Sequence, residues 1–470
     1  MKSDILIKRI HTVQTMDEKK GILHDVDILI EGNKISKIGK DIVVENQSDT
    51  EIIDGSWKVA YPGFINLHHH LYQTLTRNLP LVQNAKLFDW LVNLYEIWRE
   101  LTPESVEVST KVGIAELLLS GCTTTSDHLY LFPQNVEGDL IDIEIQTAKN
   151  MGIRFYPTRG SMSRGKSKGG LPPDDVVQEP EAILKDSERL IEKYNDPNPF
   201  SMCRVVLAPC SPFSVTPELL KETAALAREK KVMLHTHLCE TLDEEEYCLS
   251  KFGMRPLALM QKYDWVGKDV WYAHGIYFND DEVKILAETG TGIAHCPGSN
   301  LRLGSGICRV AYLIDNGVKV GLGVDGSSSN DASNMVREMQ LAMLIHRVKS
   351  GVDSMPPEKV LKMATRGGAD ILGRDEIGIL REGCAADIAL FRLNRVDFAG
   401  AMHDPANAII MCGSGIRADC TIVNGRVLVK DEKLFNINEE DLFYEANEVA
   451  EKMVKSAEKK TGIFFRKISI

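Results

Sequence analysis

The sequence predicts an α/β protein, a (β/α)8 TIM-like barrel with a small β-sandwich domain formed from both chain ends. Three observations favour this fold class. From residue 62 to about 375, short apolar strand patterns alternate with longer helical patterns, which is typical of a parallel sheet built from βα units. Eight such strand patterns can be counted, and eight strands close a barrel of this type. Short strands and turns occupy both ends of the chain, so one small β domain can be assembled from the two.

The β domain is assigned to residues 1–61 and 376–437. Each region contains four short runs rich in β-branched residues and separated by turn signals. Two of the later runs flank Asn424-Gly425, a strong signal for a two-residue hairpin turn. Strands are predicted at residues 5–10, 26–31, 34–38, 51–54, 386–392, 409–411, 420–423 and 426–430.

The barrel is assigned to residues 62–375. Its strands are predicted at residues 63–66, 123–126, 154–158, 205–208, 232–237, 270–273, 292–295 and 320–324. Helical patterns lie between most of them, for example at residues 106–120, 140–150, 182–194, 217–229 and 280–288. The remaining residues, 438–470, are interpreted as a charged surface helix over residues 438–459 and a tail.

The charge balance excludes several classes of partner. Fifty-five Lys and Arg residues against 67 Asp and Glu residues leave a net charge of −12, which disfavours phosphate backbones and anionic lipid surfaces. We therefore expect no nucleic-acid partner. No apolar run approaches the length of a membrane span, and the first residues, MKSDILIKRI, show no secretory signal. We expect a cytoplasmic protein without membrane contact, and a homo-oligomer stays open.

Histidines mark the ends of the predicted barrel strands. The first strand runs into the sequence LHHHL, where the two-residue period of a strand places His68 and His70 on one side and His69 on the other. The fifth runs into LHTHLCET, which adds two histidines and, three residues beyond the second, Glu240. Strand ends are where this architecture carries its active site. Six of the 12 histidines lie there: His68, His70, His235, His237, His274 and His295.

A carboxylate completes the pattern, because Asp325 follows the last apolar strand in GLGVDG. Three imidazoles, a carboxylate and room for water suit a catalytic divalent metal of the zinc type, and iron or manganese would accept the same ligands. Such an ion lowers the pKa of water toward about 7 and thereby supplies a nucleophile at neutral pH. The pattern predicts hydrolytic attack on an electrophilic carbon.

The motifs PGFINLHHH, HLCE, AHG, HCPGSN and VDG resemble those of the amidohydrolase superfamily, specifically its mononuclear aminohydrolase branch. The resemblance covers the barrel from residue 62 to 330, and GCAADIALF and VNGRVLV fit the β domain of that family. It implies that His68, His70, His237 and Asp325 are metal ligands. It also implies that Glu240 transfers a proton to the ring nitrogen beside the attacked carbon.

The same resemblance implies that His274 hydrogen-bonds the attacking water or the developing oxyanion, and that Asp325 can also accept the proton of the water. Binuclear members carry a bridging lysine at a strand end, and no lysine occurs in the corresponding sequences SDHLY and TRGSM. One divalent ion per chain is therefore favoured, with Zn2+ preferred and Fe2+ as the alternative. His235 is expected to be a supporting or structural residue, and His295 a pocket wall. The roles of His69 and His128 stay open.

Two stretches, HHHLYQTLTRNLP and PTRGSMSRGKSKGGLPPDDVVQ, look most like those of 8-oxoguanine deaminases, which implies a small heterocyclic substrate that is converted to urate and ammonia. 8-Oxoguanine presents an N7–H donor and an O8 acceptor where guanine presents a bare N7 acceptor. The amide of Gln73 has both a donor and an acceptor, so it can hydrogen-bond to N7–H and to O8. Arg159 is a candidate contact for a ring carbonyl, with a surface salt bridge as its alternative. Trp90 is expected to pack a helix rather than to stack on the substrate.

Three other functions stay open. The nearer ones are a triazine aminohydrolase acting on hydroxylated N-alkylamino triazines and a deaminase of isoxanthopterin or guanine, since these activities use the same metal machinery. The more distant one is a barrel that serves as a scaffold without catalysis. The complete set of three histidines, an aspartate and a glutamate argues against the scaffold.

Overall fold

The computed structural model describes residues 4–44, 47–136 and 138–466. It contains a closed barrel of eight parallel strands with helices around it, and a larger sheet made from both ends of the chain. The predicted fold class is therefore confirmed. Residues 1–3 and 45–46 of the predicted β domain, residue 137, and residues 467–470 of the predicted tail lie outside the described residues.

The amino-terminal region forms five strands of the larger sheet. They are β1 (Asp4–Gln14), β2 (Ile22–Glu31), β3 (Lys34–Gly39), β4 (Thr50–Asp54) and β5 (Lys58–Pro62). Strand β1 pairs antiparallel with β2 and parallel with β4 and β5. Its apolar side chains, such as Ile5 and Ile7, are buried in the core of this sheet.

The barrel strands follow directly. They are β6 (Phe64–Asn66), β7 (Cys122–Leu129), β8 (Arg154–Ser161), β9 (Val206–Pro209), β10 (Met233–Leu238), β11 (Val270–His274), β12 (Gly292–His295) and β13 (Val320–Leu322). Each strand pairs in parallel with the next, and β13 pairs with β6 to close the barrel. Almost every strand residue is buried, because side chains fill the interior and helices cover the outside. All eight predicted strands are present, with ends that differ by a few residues.

The helices surround the barrel, and the last of them ends at Thr461. They are α1 (Leu87–Trp98), α2 (Pro103–Leu119), α3 (Leu140–Met151), α4 (Pro180–Tyr194), α5 (Pro217–Lys230), α6 (Leu242–Phe252), α7 (Pro256–Lys262), α8 (Asp280–Thr289), α9 (Pro297–Arg302), α10 (Val310–Asp315), α11 (Ser327–Asn330), α12 (Met335–Ser350), α13 (Pro357–Lys362), α14 (Gly368–Ile371), α15 (Ala408–Cys412) and α16 (Glu439–Thr461). Several begin with a proline at the first helical position, where the missing N–H costs nothing. In the described part of the chain, no helix has both the length and the apolar character that a membrane crossing requires.

The carboxyl-terminal strands complete the larger sheet. They are β14 (Ile388–Arg392), β15 (Cys420–Val423), β16 (Arg426–Lys430) and β17 (Lys433–Leu434). Strand β14 pairs antiparallel with β5, so the two chain ends form one sheet of nine strands. Asn424 and Gly425 connect β15 to β16 with φ angles of 49° and 74°, as the predicted hairpin turn requires.

One predicted strand is wrong. Residues 409–411 lie in the short helix α15 and not in a strand. The β-branched pair favoured a strand, but Ile409 and Ile410 are both buried, and α15 packs against α12. A half-buried strand would direct two successive side chains to opposite faces. A helical turn buries both, so tertiary packing overrides the local propensity.

A buried ion pair joins the barrel to the sheet. Arg154, at the start of β8, contacts Asp387 with an N–O distance of 3.0 Å, and both side chains are buried. Asp387 also accepts a hydrogen bond from the backbone of Asn424 in the hairpin turn. Because both partners are desolvated, loss of either would leave an uncompensated charge. The pair therefore holds the sheet against the amino-terminal end of a barrel strand, away from the ends that carry the histidines.

Candidate active site

The four predicted metal ligands meet at one end of the barrel. His68 and His70 follow β6, His237 lies in β10 and Asp325 follows β13. Oδ1 of Asp325 lies 3.2 Å from Nε2 of His68 and 3.3 Å from Nε2 of His70. Nε2 of His70 lies 3.1 Å from Nε2 of His237. Three separate strands thus deliver their ligands to the face where barrels of this type carry their active sites.

Backbone carbonyls determine which nitrogen two of these ligands present. Nδ1 of His70 donates to the carbonyl of His128 over 2.8 Å, and Nδ1 of His237 donates to the carbonyl of Cys210 over 2.6 Å. Burial lowers the pKa of His70 to about 3 and also lowers the pKa of His237, so both rings are neutral. A neutral imidazole that donates from Nδ1 carries a lone pair on Nε2. Both rings therefore present Nε2 as a ligand.

His68 is held in the same state by another histidine. Nδ1 of His235 donates to the carbonyl of Trp271 over 3.0 Å, so its Nε2 accepts from Nδ1 of His68 over 2.8 Å. The indole of Trp271 also stacks on His235, with 4.6 Å between the ring centroids. Nε2 of His68 is buried and has no hydrogen-bond partner among the described residues. His235 thus lies behind His68, a predicted ligand, and accepts a hydrogen bond from it; its supporting role stays a prediction.

This donor set fits a divalent metal ion. His68, His70, His128 and His237 form one group whose ring nitrogens lie within 4.8 Å of one another. Asp325 Oδ1 contacts the Nε2 atoms of His68 and His70, and the Nε2 atoms of His70 and His237 lie 3.1 Å apart. Lone pairs and a carboxylate repel one another in a buried site, and a cation among them converts that repulsion into attraction. The Nδ1–H group of each of the three predicted histidine ligands donates a hydrogen bond to an acceptor. Metal-binding histidines are usually oriented in this way. Three His and one Asp suit zinc or a similar ion.

Glu240 and His274 lie beside the ligands. Nε2 of His274 is 3.5 Å from Oε2 of Glu240 and 3.9 Å from Oδ2 of Asp325, and its Nδ1 donates to Oδ1 of Asn300 over 2.9 Å. The other oxygen of Glu240 accepts from the hydroxyl of Ser305 over 3.2 Å. Burial, followed by the negative charge of Asp325, raises the pKa of Glu240 to about 7. That value suits a group that takes up and releases a proton at neutral pH.

Three residues of this site have left-handed backbone. The φ angle is 55° at Cys239, 72° at His274 and 62° at Asp325. Side-chain-bearing residues adopt this region at a cost, and such residues concentrate where the surrounding structure must aim a functional group. All three follow or end barrel strands, so the sharp turns bring their loops back over the centre of the barrel.

A cavity with aromatic walls opens onto the cluster. Trp90, Tyr95, Tyr130 and Phe213 line it together with the predicted catalytic residues Glu240, His274 and Asp325. Apolar walls with a few convergent polar groups are typical of a site for a small ligand, and flat aromatic walls favour a flat one. The indole N–H of Trp90 donates to the carbonyl of Ser328 over 3.3 Å. Trp90 therefore packs against the protein, as expected, and also forms part of the wall.

Gln73 lies on the wall of the same cavity. Its Oε1 is buried without a hydrogen-bond partner among the described residues, and its Nε2 has only a long contact of 3.4 Å to the hydroxyl of Tyr72. A buried amide oxygen without a partner is costly unless a ligand supplies a donor. Gly326 makes room for this amide, since a Cβ at that position would lie 1.9 Å from Oε1 of Gln73.

The structure does not bring Arg159 to this cavity. Its guanidinium is buried, pairs with Asp186 at 2.6 Å, donates to the amide oxygen of Gln178 at 2.8 Å and lies over the ring of Phe132. Among the described residues that line the cavity, Arg159 does not occur. Its end of β8 points the side chain outward toward α4. Its placement therefore gives no support to a substrate contact. Arg159 does form an ion pair, but the guanidinium is buried and not at the surface as the alternative supposed.

The remaining histidines take supporting positions. His69 points away from the ligands, as the strand period predicts, and its Nε2 bonds the hydroxyl of Ser333. His128 lies among the ligand rings, where its Nε2 donates to the carbonyl of Ala208 over 2.8 Å. His295 bonds His346 through Nε2 of both rings, 3.1 Å apart, and is not among the described residues of the cavity wall.

Sequence reasoning missed several groups that orient the site. Asn300 and Ser305, which bond His274 and Glu240, lie in the loop and helix after β12. Asn300 is part of the HCPGSN motif, so the sequence pattern could have identified it as a residue of the site. Ser305 and Glu244, a further acid of the cavity wall, stand in ordinary loop and helix sequence and carry no such signal.

A closed (β/α)8 barrel with three histidines, an aspartate and a buried glutamate at its strand ends defines a metal-dependent hydrolase. Residues 59–428 match the amidohydrolase family, and the chain belongs to that family. It is an enzyme, a hydrolase of C–N bonds.

Named relatives narrow the activities to be considered. The chain is 50% identical to the 8-oxoguanine deaminase of Pseudomonas aeruginosa strain PAO1 over 378 residues, which are 80% of this chain and 84% of that protein. It is 36% identical to the hydroxydechloroatrazine ethylaminohydrolase of Pseudomonas sp. strain ADP over 456 residues, 94% of each chain. The solved structure of the atrazine chlorohydrolase of Arthrobacter aurescens TC1 in complex with zinc superposes with a TM-score of 0.90 at 36% identity, covering 95% of this chain and 100% of that one.

Proposed function

We propose that this enzyme hydrolytically deaminates 8-oxoguanine to urate and ammonia with one Zn2+ ion per chain, held by His68, His70, His237 and Asp325. The observation that carries the choice of substrate is the amide of Gln73, whose buried oxygen has no hydrogen-bond partner in the described part of the chain. Its oxygen would accept from N7–H of 8-oxoguanine, and its nitrogen would donate to O8. The 50% identity to an 8-oxoguanine deaminase agrees with this choice.

When bound, a divalent ion lowers the pKa of water and so supplies a nucleophile at neutral pH. The attack is on C2, the ring carbon that carries the amino group. Asp325 and His274 border the cavity on the side of the ligands. Either can take the proton that water loses, and His274, once protonated at Nε2, can donate a hydrogen bond to the developing negative charge.

Glu240 handles the second proton. A carboxyl group with a pKa near 7 is partly protonated at neutral pH, so it can deliver a proton to N3, the ring nitrogen beside C2. The C2–N bond then breaks: the amino group takes the proton held by Asp325 or His274 and leaves as ammonia. The hydroxyl on C2 gives its proton back to Glu240 and becomes the carbonyl of urate. Ser305 and His274 contact Glu240 on its two oxygens, which holds the carboxyl at the edge of the ring.

Gln73 determines which ring is preferred. Guanine offers a bare N7 acceptor at the position where 8-oxoguanine offers N7–H, so the amide oxygen of Gln73 would face a lone pair. A site built around such a hydrogen bond can reject the analogue by up to roughly 10⁴-fold to 10⁵-fold. Isoxanthopterin presents a neighbouring N–H and C=O much like those of 8-oxoguanine and is the nearest competitor on this criterion.

A triazine aminohydrolase is the second candidate. It is favoured by the 36% identity to a hydroxytriazine ethylaminohydrolase over 94% of the chain. A hydroxytriazine has a single ring and lacks the five-membered ring that carries N7–H and O8 in 8-oxoguanine, so it would not offer the Gln73 amide that pair of groups. We therefore rank triazine hydrolysis second, behind the deamination of a fused bicyclic ring.

Steady-state kinetics on four substrates test the proposal. Purified enzyme, loaded with one Zn2+ per chain, is assayed with 8-oxoguanine, guanine, isoxanthopterin and a hydroxylated N-alkylamino triazine, and released ammonia or alkylamine is quantified. We expect kcat/KM to be highest for 8-oxoguanine. A higher kcat/KM for any of the other three would replace that substrate assignment.

A variant separates the role of Gln73 from general damage to the site. Gln73→Leu keeps the bulk of the side chain and removes both polar atoms, so it should narrow the preference for 8-oxoguanine over guanine by at least tenfold. Gln83→Leu, at a partly exposed glutamine away from the cavity wall, serves as the control and should keep the wild-type preference. Equal losses on both purines in Gln73→Leu would refute the specificity role.

A further inference from the structure

A buried carboxyl group holds the loop that carries Glu240. Glu244 lies in the first turn of α6, and its two oxygens accept the backbone N–H groups of Cys239 and Glu240, each over 3.1 Å. The left-handed φ of 55° at Cys239 turns these two successive N–H groups to one side. Two successive N–H groups in such a conformation form a nest for an anion. In this protein the side-chain carboxyl group of Glu244 fills the nest, and burial raises the pKa of that carboxyl to about 8.

The position of Glu244 differs from the usual helix cap. A glutamate at the third position of a helix commonly reaches back to the N–H of the capping residue, which is Thr241 in α6. Glu244 reaches one and two residues further back, to the segment that carries Glu240. Its side chain is buried at 1% exposure, and among the described residues no lysine or arginine pairs with it, whereas the adjacent Glu245 pairs with Arg255.

We propose that Glu244 is a positioning residue that sets the place of the Glu240 carboxyl relative to Ser305, His274 and the substrate. This inference rests on the proposed role of Glu240 in proton transfer. If the N–H groups of Cys239 and Glu240 lose this acceptor, the backbone at residues 239–240 is free to leave the conformation with the left-handed φ at Cys239. The Glu240 carboxyl then moves with the backbone, and a displacement of about 1 Å can cost on the order of 100-fold in rate.

The first measurement separates rate from binding. Glu244→Gln keeps the size of the side chain, but its amide nitrogen must face one of the two backbone N–H groups, so one hydrogen bond is lost. We expect kcat to fall by about 10-fold to 100-fold, KM to change by less than about threefold, and the metal content to stay at the wild-type value. Glu246→Gln, at an exposed glutamate of the same helix, is the matched control and should change neither constant.

A double-mutant cycle then tests whether Glu244 acts through Glu240. The four enzymes are wild type, Glu240→Gln, Glu244→Gln and the double variant, assayed at high enzyme concentration. If Glu244 only positions Glu240, then Glu244→Gln should change the residual kcat of the Glu240→Gln enzyme by less than about twofold. Additive losses would overturn the proposal, as would a rise in KM that persists without Glu240, which would mean direct contact with the substrate.

The outcomes distinguish this inference from the proposed function. Wild-type kcat in Glu240→Gln would refute the role of Glu240 in catalysis. A loss in Glu240→Gln combined with additivity in the cycle would refute the positioning role of Glu244 alone. If Glu244→Gln does not fold, Glu244→Asp takes its place in the cycle, because it keeps a carboxylate that is one methylene shorter. Additive losses with that variant would equally overturn the proposal.

Discussion

Removal of His235 tests the orientation of the metal ligands without touching a ligand. Its Nε2 accepts from Nδ1 of His68, and its own Nδ1 is committed to the carbonyl of Trp271. In His235→Leu the N–H of His68 loses its acceptor. The ring of His68 then gains by moving its proton to Nε2 or by rotating, and either change removes the lone pair from the ligand cluster.

The size of the effect follows from these contacts. Loss of a hydrogen-bond partner behind a metal-binding histidine typically costs 10-fold to 100-fold in metal affinity, which corresponds to about 1.4 to 2.7 kcal/mol. We therefore expect the Kd for Zn2+ of His235→Leu to rise by that factor. His235→Gln keeps an acceptor oxygen on the side chain and should recover part of the affinity.

The assay is competition for Zn2+ against a chromophoric chelator, with protein first stripped of metal. His346→Leu is the matched control, because His346 is also buried and also bonds another imidazole, that of His295, through Nε2. It should leave the Kd within about threefold of wild type. An unchanged Kd in His235→Leu would refute the reasoning, and so would an equal loss in His346→Leu, since the effect would then be general to the fold.

Three further predictions concern the cavity, the surface and the Arg159 ion pair. In Gly326→Ala the new Cβ would lie 1.9 Å from Oε1 of Gln73, so the amide must move. We expect KM for 8-oxoguanine to rise by about tenfold while the metal content stays unchanged. An unchanged KM would contradict the proposed contact between Gln73 and the substrate. Burial raises the pKa of Asp142, but hydrogen bonds from three side chains of α4 outweigh it and lower the pKa to about 2. The ionised carboxylate of Asp142 therefore stabilises the fold above about pH 4, and this stabilisation is lost as pH falls toward 2. Measured by chemical denaturation, Asp142→Asn should lower the free energy of unfolding by about 1 kcal/mol at pH 7 and by less at pH 3. A difference from wild type that is the same at both pH values would refute this contribution. Arg159→Met should lower that free energy by about 2 kcal/mol and leave KM unchanged, whereas a KM raised tenfold or more would restore Arg159 as a substrate contact.

The barrel and its ligand positions could be predicted because strand ends follow simple rules. Apolar runs of a few residues alternate with helical patterns, and a functional residue after such a run must lie at the active face of the barrel. His68 and His70 illustrate the rule, since the two-residue period placed them together and His69 apart. Hydrogen bonds observed for all three rings agree with that assignment.

Arg159 shows where the same rule fails. It also stands near the end of a barrel strand, but all residues of β8 are buried, so exposure patterns give no sign of which side chains point inward. The outward direction is set by partners that lie 19 and 27 residues further along the chain, Gln178 and Asp186. Such partners are brought to Arg159 only by the packing of α4 against β8, and no local pattern reports that packing.

The orientation of the ligands is the part that sequence patterns cannot supply. His70 and His237 are oriented by the carbonyls of His128 and Cys210, and His235 by the carbonyl of Trp271. Every residue has a carbonyl, so the identity of the side chain at these positions carries no information about the hydrogen bond. Only the register between neighbouring strands places the right carbonyl opposite the right ring. The proposed metal ligands are therefore encoded in side-chain type, while the direction of their lone pairs is encoded in the pairing of the barrel strands.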